Sequence, residues 1–229
     1  MMAALGGLRE PRRADQKPGW VKTLKYESEV KFPKATFACF DFETNGLSAE
    51  NDRVLEVAVV RVRGGRPRDQ WTTLINPGVE EDVGRTDIHG IKKDWLAEAP
   101  TFVEIAGDLL ALFHGTLLVA HNSKFDVGFL EAELERAGIP TADLDIPNWD
   151  TMQIANVVGS KSKKLEDVAR AVGVKIGKAH QALDDTVALA KVVAKVMPLV
   201  EKKQKVPLFK APEGIQQSGR ALLRPRVRF

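Results

Sequence analysis

Phe37-Ala38-Cys39-Phe40-Asp41-Phe42-Glu43-Thr44-Asn45-Gly46-Leu47 is an apolar run that closes on two carboxylates and a turn signal. Read as a strand, it alternates its side chains between two faces. Asp41 and Glu43 then point one way, one pleat apart, and Phe40 and Phe42 point the other way into packing. An acid at the end of a buried strand costs several kcal/mol unless a cation or hydrogen-bond donors meet it. The alternative is a strand that merely leaves the core and meets water at Asp41 and Glu43. Two further acidic positions downstream, in comparable settings, weigh against that simpler account.

Outward from this stretch the pattern stays regular. Thr36–Phe42, Arg53–Arg63 and Gln70–Ile75 read as three strands, with Gly64-Gly65 turning the chain between the last two. Short connections make them an antiparallel meander. Asn76-Pro77-Gly78 ends it, and an irregular loop is expected up to Pro100. Thr101 with Glu104 three residues on predicts a capping box for a helix to about Phe113. Thr116–Ala120 is short and apolar, as a strand inside a parallel pair should be. A helix is expected over Ser123–Ala137, closed by Gly138, and a fifth strand within Asp143–Trp149. Asp150–Val158, Lys164–Val172 and Ala182–Val196 read as helices, the last ended by Pro198. The fold class is therefore α/β, a mixed five-stranded sheet flanked by helices.

The chain has 229 residues, of which 44% are hydrophobic, enough for one domain with a real core plus extensions. Three regions follow: an N-terminal extension over 1–34, expected to be mostly irregular; a domain over 35–200; and a basic tail over 201–229. The net charge of +3 conceals an asymmetry. Both ends are rich in Lys and Arg, so the body between them is acidic. That suits a body that collects carboxylates around cations, with arms that touch nucleic acid or a partner. The single cysteine, Cys39, excludes an intrachain disulfide and a thiolate metal cluster, and fits a reducing cytoplasm. No apolar run approaches the length that spans a bilayer.

Asp126 lies early in the helix after Thr116–Ala120, where sites gather in open α/β sheets. His180, Asp184 and Asp185 lie at the start of the last helix. Either of the two aspartates can instead complement the helix dipole. Carboxylates with one histidine suit oxygen-preferring ions, Mg²⁺ or Mn²⁺. Two such ions about 4 Å apart serve an in-line phosphodiester displacement, and a histidine titrating near neutrality can take the proton of the attacking water. The residue chemistry reaches metal-dependent phosphoester hydrolysis and stops there.

The ordered set Asp41-x-Glu43-Thr44, Asn122-x-x-x-Asp126 and His180-x-x-x-x-Asp185 resembles the DEDDh branch of the 3′→5′ exonucleases, over roughly residues 36–198. Within it, the resemblance is nearest to the epsilon proofreading subunits of bacterial DNA polymerase III. It implies a ribonuclease-H-like fold and two divalent metal ions. Asp41 would bridge both ions, Glu43 and Asp185 would complete the tighter site, Asp126 would hold the second, and His180 would be the general base. Ile88-His89-Gly90-Ile91 is similar to the family's His-Gly-Ile loop beside the terminal nucleotide. Thr44, Leu47, His89 and Asn122 would then be substrate-binding.

The activity so implied is removal of nucleoside monophosphates from a DNA 3′ end, in proofreading or repair. An exoribonuclease and a catalytically idle interaction domain are the alternatives. Lys161, Lys163 and Lys164 form a basic cluster able to meet phosphates or merely to sit in solvent. In the tail, Gln204-Lys205-Val206-Pro207-Leu208-Phe209 resembles the short peptides that dock on a sliding clamp, which would add clamp and replicative polymerase as partners.

Overall fold

The computed structural model describes residues 26–30, 35–78, 82–141, 148–177, 181–204, 209–212 and 227–228. His180, most of the clamp-like hexapeptide (205–208), and much of the Asp143–Trp149 stretch lie outside them. In chain order the strands are β1 (Tyr26–Val30), β2 (Thr36–Thr44), β3 (Val54–Arg63), β4 (Arg66–Leu74), β5 (Leu117–Ala120), β6 (Asn148–Asp150), β7 (Phe209–Pro212) and β8 (Val227–Arg228). The helices are α1 (Thr86–His89), α2 (Lys93–Leu96), α3 (Phe102–Phe113), α4 (Ser123–Arg136), α5 (Leu165–Ala171) and α6 (Ala182–Gln204).

The main sheet runs β6-β5-β2-β3-β4-β8. β2, β3 and β4 form the antiparallel meander, and β5 lies parallel to both β2 and β6. Thus the expected five strands are all present, and the two residues of β8 extend the β4 edge. Gly64 and Gly65 both have positive φ, the conformation a tight two-residue hairpin turn demands and glycine supplies without a Cβ clash. The β3–β4 pairing consequently starts at Arg63↔Arg66, and β4 begins four residues earlier than its apolar pattern indicated. The pleat sorts the core as the alternation requires. Ala38, Phe40 and Phe42 pack with Val57 and Val59 against α3 and α4, whereas Phe37 and Cys39 pack with Val60 and Val62 against α6. Asp41 and Glu43 therefore leave β2 on the α6 side.

The Thr101/Glu104 capping box forms, with the Glu104 carboxylate accepting from the Thr101 N–H at 2.8 Å. Other local readings need correction. The loop to Pro100 contains the one-turn helices α1 and α2. The helix expected over Asp150–Val158 is a 3-10 turn at Thr151–Ile154 followed by turns. There the Asp150 carboxylate accepts the Met152 N–H, and buried Thr151 reaches back to the Ala120 carbonyl, so side chains replace the helical ladder. Pro198 does not end α6, which continues to Gln204. Proline removes one backbone donor, at about 3 kcal/mol, but α6 is pinned by Leu189, Val193 and Met197 on the sheet and by Ala188, Val192 and Val196 on α5. Within the N-terminal extension, β1 pairs with β7 antiparallel, Val30 opposite Phe209. Pairing between two distant arms leaves no local signal to read.

Glu133 ties α4 to the start of β3. It is 1% exposed, and it accepts from Arg53 Nε at 2.7 Å, from the Val54 N–H at 3.3 Å and from Arg136 at 3.3 Å. Arg53 also donates to the Pro77 carbonyl, and Arg136 to the carbonyls of Ala49 and Glu50. Glu133→Ala would take the carboxylate away from both guanidinium groups and the acceptor away from the buried Val54 N–H. A fully buried broken pair costs about 3–5 kcal/mol. Because both arginines keep some water, the expected loss is about 2–3 kcal/mol, read as a lower denaturant midpoint at unchanged slope.

Candidate active site

β2 outruns β5 by several residues, since their pairing ends at Cys39↔Val119. Beyond it, the Phe42 N–H on that side has no strand partner. Asp126, 2% exposed in the first turn of α4, supplies one: its Oδ1 accepts from Phe42 N at 3.2 Å. The acid of one element is thus bonded to the strand that bears the other two. Across β2, Asp41 stands opposite Ala58 and Glu43 opposite Glu56, and a bulge at Leu55 follows immediately. α6 begins on the same face. Oxygen atoms of Asp41, Glu43 and Asp185 lie within 4.8 Å of one another.

Such crowding shows in the acidities. Burial, reinforced by the charges of Asp126, Glu43 and Asp185, holds the Asp41 carboxyl well above the usual range. Burial, then Glu56 and Asp185, raise Glu43 to about 7. Burial raises Asp126 to about 8 against the opposing pull of the Phe42 N–H. The neighbouring aspartates on α6 diverge. Asp185 faces the acids, whereas the Asp184 carboxylate lies against Gly177, where an added Cβ would come within 2.6 Å of it.

Glu56 is a fifth carboxylate that the motif spacing did not single out. It accepts from the Ala182 backbone N–H at the start of α6 and, at 3.3 Å, from the Thr72 hydroxyl. It therefore anchors the turn that delivers Asp185. Glu56→Ala is expected to lower activity about tenfold through loss of a charge-assisted hydrogen bond of about 1.5–3 kcal/mol. Glu56→Gln keeps an acceptor oxygen and should retain most of it. Rates and melting temperatures of the two variants check this, and equal losses in both would contradict the anchoring role.

The expected substrate-binding positions fall into three places. Thr44 and Leu47 follow Glu43, and Leu47 is 87% exposed at the loop tip. Gly46 behind it has no room for a side chain, since a Cβ would sit 2.2 Å from Asp52 Oδ2. Asn45 joins this loop to the next: its side-chain amide donates to the Asp82 carbonyl at 2.8 Å, and its Oδ1 accepts from Arg53 N–H. His89 lies in that second loop, buried, donating from Nε2 to the Val83 carbonyl and accepting the Ile91 N–H at Nδ1. Both ring nitrogens are used to shape the loop. Asn122, at the start of α4, is the only described non-glycine residue with positive φ. Its side chain does not cap the helix; its N–H donates to Asp150 Oδ1 at 3.0 Å. Phe129 and Leu130 are core, and Phe125 packs partly buried against them.

The RNase_T exonuclease model matches residues 38–193. Among curated proteins, the PolC-type DNA polymerase III of Thermotoga petrophila is 31% identical over 183 residues, 80% of this chain and 13% of that polymerase. A DNA polymerase III subunit epsilon-like protein of Rhodobacter capsulatus is 32% identical over 77% of this chain and 26% of its own length. The chain thus spans about a quarter or less of these relatives. The nuclease domain of 3′hExo, a DEDDh family member solved with rAMP, superposes with a TM-score of 0.64 at 16% identity, over 80% of this chain and 99% of that domain. Escherichia coli exonuclease I in complex with dT13 does so at 0.63 and 20% identity, over 74% and 43%. The two structures establish the ribonuclease-H-like fold. Because the matched span runs from the start of β2 well into α6, and so includes each acid brought together here, the chain belongs to the RNase_T exonuclease family.

Proposed function

We propose that this protein is a metal-dependent 3′→5′ exonuclease that removes nucleoside monophosphates from DNA ends, in proofreading or repair. One observation carries the reading: three carboxylates with oxygens within 4.8 Å of one another, and a fourth, Asp126, hydrogen-bonded to the same strand. The donor set fits a divalent ion. It is all oxygen, and its mutual repulsion favours any cation placed among it. Asp41, Glu43 and Asp185 would hold Mg²⁺ or Mn²⁺ together, with Asp126 serving a second ion beside Asp41. Bound there, the ions supply Lewis-acid stabilisation of the attacking and leaving oxygens. His180, just ahead of α6, takes the proton from the water. Thr44, Leu47 and the loop shaped by His89 seat the terminal nucleotide, and Asn122 positions the strand.

The DNA preference is supported by the curated relatives, which are polymerase III proteins. A place beside a replicative polymerase belongs to the same proposal, as does clamp docking through Gln204–Phe209, which rests on the sequence motif. Among the described residues no helix is long and apolar enough to cross a membrane. Rates on end-labelled single-stranded DNA, mismatched duplex and RNA, each with Mg²⁺ or Mn²⁺, test the reading. Faster cleavage of single-stranded or mismatched DNA is the expected outcome. A preference for RNA would replace the substrate, and inactivity on all three would leave an interaction domain.

The raised acidities set a pH dependence. Glu43 and Asp126 titrate near 7 and 8 in the folded protein and near 4 when unfolded. Between those values the folded protein holds protons that the unfolded chain has released. Without metal, their contribution to stability is full below about pH 4 and is lost as pH rises through 7–8. The metal-free protein should therefore melt several degrees lower at pH 8.5 than at pH 5.5, with Mn²⁺ restoring the difference at the higher pH. A melting temperature that rises with pH in EDTA would contradict this.

A further inference from the structure

Lys161, Lys163 and Lys164 are exposed, and the structure fixes the loop that carries them. His121 follows the last residue of β5 and precedes Asn122, which opens the helix of Asp126. Its Nε2–H donates to the Lys163 carbonyl at 2.6 Å, and its Nδ1 meets the Thr151 hydroxyl at 2.9 Å. Thr151 is fully buried and lies 3.2 Å from the Ala120 carbonyl. A continuous relay thus ties the lysine loop to the strand end from which Asp126 is delivered. The loop also satisfies its own polar groups. Ser160 donates to the Ser162 carbonyl at 2.7 Å, the Lys164 N–H to Ser162 Oγ at 3.1 Å, and Ser162 Oγ to Asp167 at 2.6 Å. Asp167 also pairs with Arg170. Among the described residues none of the three ammonium groups is held in an ion pair, although the Lys161 charge is felt at Asp167.

We propose that the Lys161–Lys164 loop is a rail for the phosphodiester backbone of the strand whose 3′ end enters the acidic pocket. The inference rests on the nuclease reading above. A polyanion brought to a body rich in carboxylates needs positive charge along its path as well as at the scissile phosphate. Three lysines on a segment of four residues span about 10 Å at most, the length of about two or three phosphates along a strand. Because hydrogen bonds already hold the loop, little order is lost when the strand arrives. The recognised chemistry is the backbone phosphate that DNA and RNA share.

The test is the full chain with Lys161→Gln, Lys163→Gln and Lys164→Gln combined. Binding to fluorescent 12-nucleotide DNA and RNA strands, phosphorothioate-blocked at the 3′ end, is measured by anisotropy in Mn²⁺ over a salt series. Hydrolysis of the p-nitrophenyl ester of thymidine 5′-monophosphate, which reaches only the pocket, is measured in parallel. The expected result is about tenfold weaker strand binding at low salt and a salt slope smaller by about 1–2, at about 0.7 per phosphate lost, with ester hydrolysis unchanged. The loss should be alike for DNA and RNA. Unaltered strand affinity and slope beside intact ester hydrolysis would overturn the rail alone, and a loss confined to one nucleic acid would overturn backbone recognition. A wild-type protein that neither binds strands nor cleaves the ester would overturn the nuclease reading and the rail with it.

Discussion

Asp41→Asn is expected to abolish hydrolysis, by at least about a hundredfold, and to raise the melting temperature of the metal-free protein. Both effects have one cause. The Asp41 carboxyl is pushed up by burial and by Asp126, Glu43 and Asp185 in turn. Removing its charge relieves that repulsion while keeping shape, so the metal-free fold gains about 2–6 °C. With Mn²⁺ present the order reverses, because the wild type holds the ion more tightly and is stabilised by it. Calorimetry with and without Mn²⁺, paired with rates on a single strand, reads both. A variant that keeps its rate, or that melts lower in EDTA, would remove Asp41 from the centre of the site.

The second large effect separates two adjacent residues. Asp185→Asn should cost at least about a hundredfold in rate, whereas Asp184→Asn should stay within about threefold, inside the range expected of a residue outside the chemistry. The distinction is geometric. Asp185 places an oxygen within 4.8 Å of both Asp41 and Glu43, while Asp184 rests against Gly177. Rates of the two variants under identical Mn²⁺ decide it. Loss confined to Asp184→Asn would mean that the first turn of α6 is rotated by one residue relative to the acids.

The parts of this fold that were legible in the sequence are those governed by local periodicity. Alternation along Phe37–Glu43 puts Phe40 and Phe42 on one face and Asp41 and Glu43 on the other, and the core sorts them so. Gly64-Gly65 and the Thr101/Glu104 pair each specify a short-range geometry that forms. What escaped depends on partners distant in the chain. Glu56 reads as one polar residue in an apolar strand until the β2–β3 register sets it opposite Glu43 and the start of α6 gives it the Ala182 N–H. Pro198 is a sound local stop signal, yet packing on both sides of α6 carries the helix through it. Thr151 is a similar case, since its hydroxyl serves the end of β5 rather than a helix of its own.

Directional hydrolysis at the four acids is open to one direct measurement. A single-stranded DNA labelled at its 5′ end is incubated with the wild type in Mn²⁺, with the wild type in EDTA, and with the Asp41→Asn variant in Mn²⁺, and the products are resolved by length. The wild type in Mn²⁺ should yield a ladder of labelled strands shortened one nucleotide at a time, with nucleoside 5′-monophosphates released, and the other two reactions should leave the strand intact. Immediate release of a labelled mononucleotide, internal cuts, or a ladder that persists in EDTA or in the variant would contradict the account.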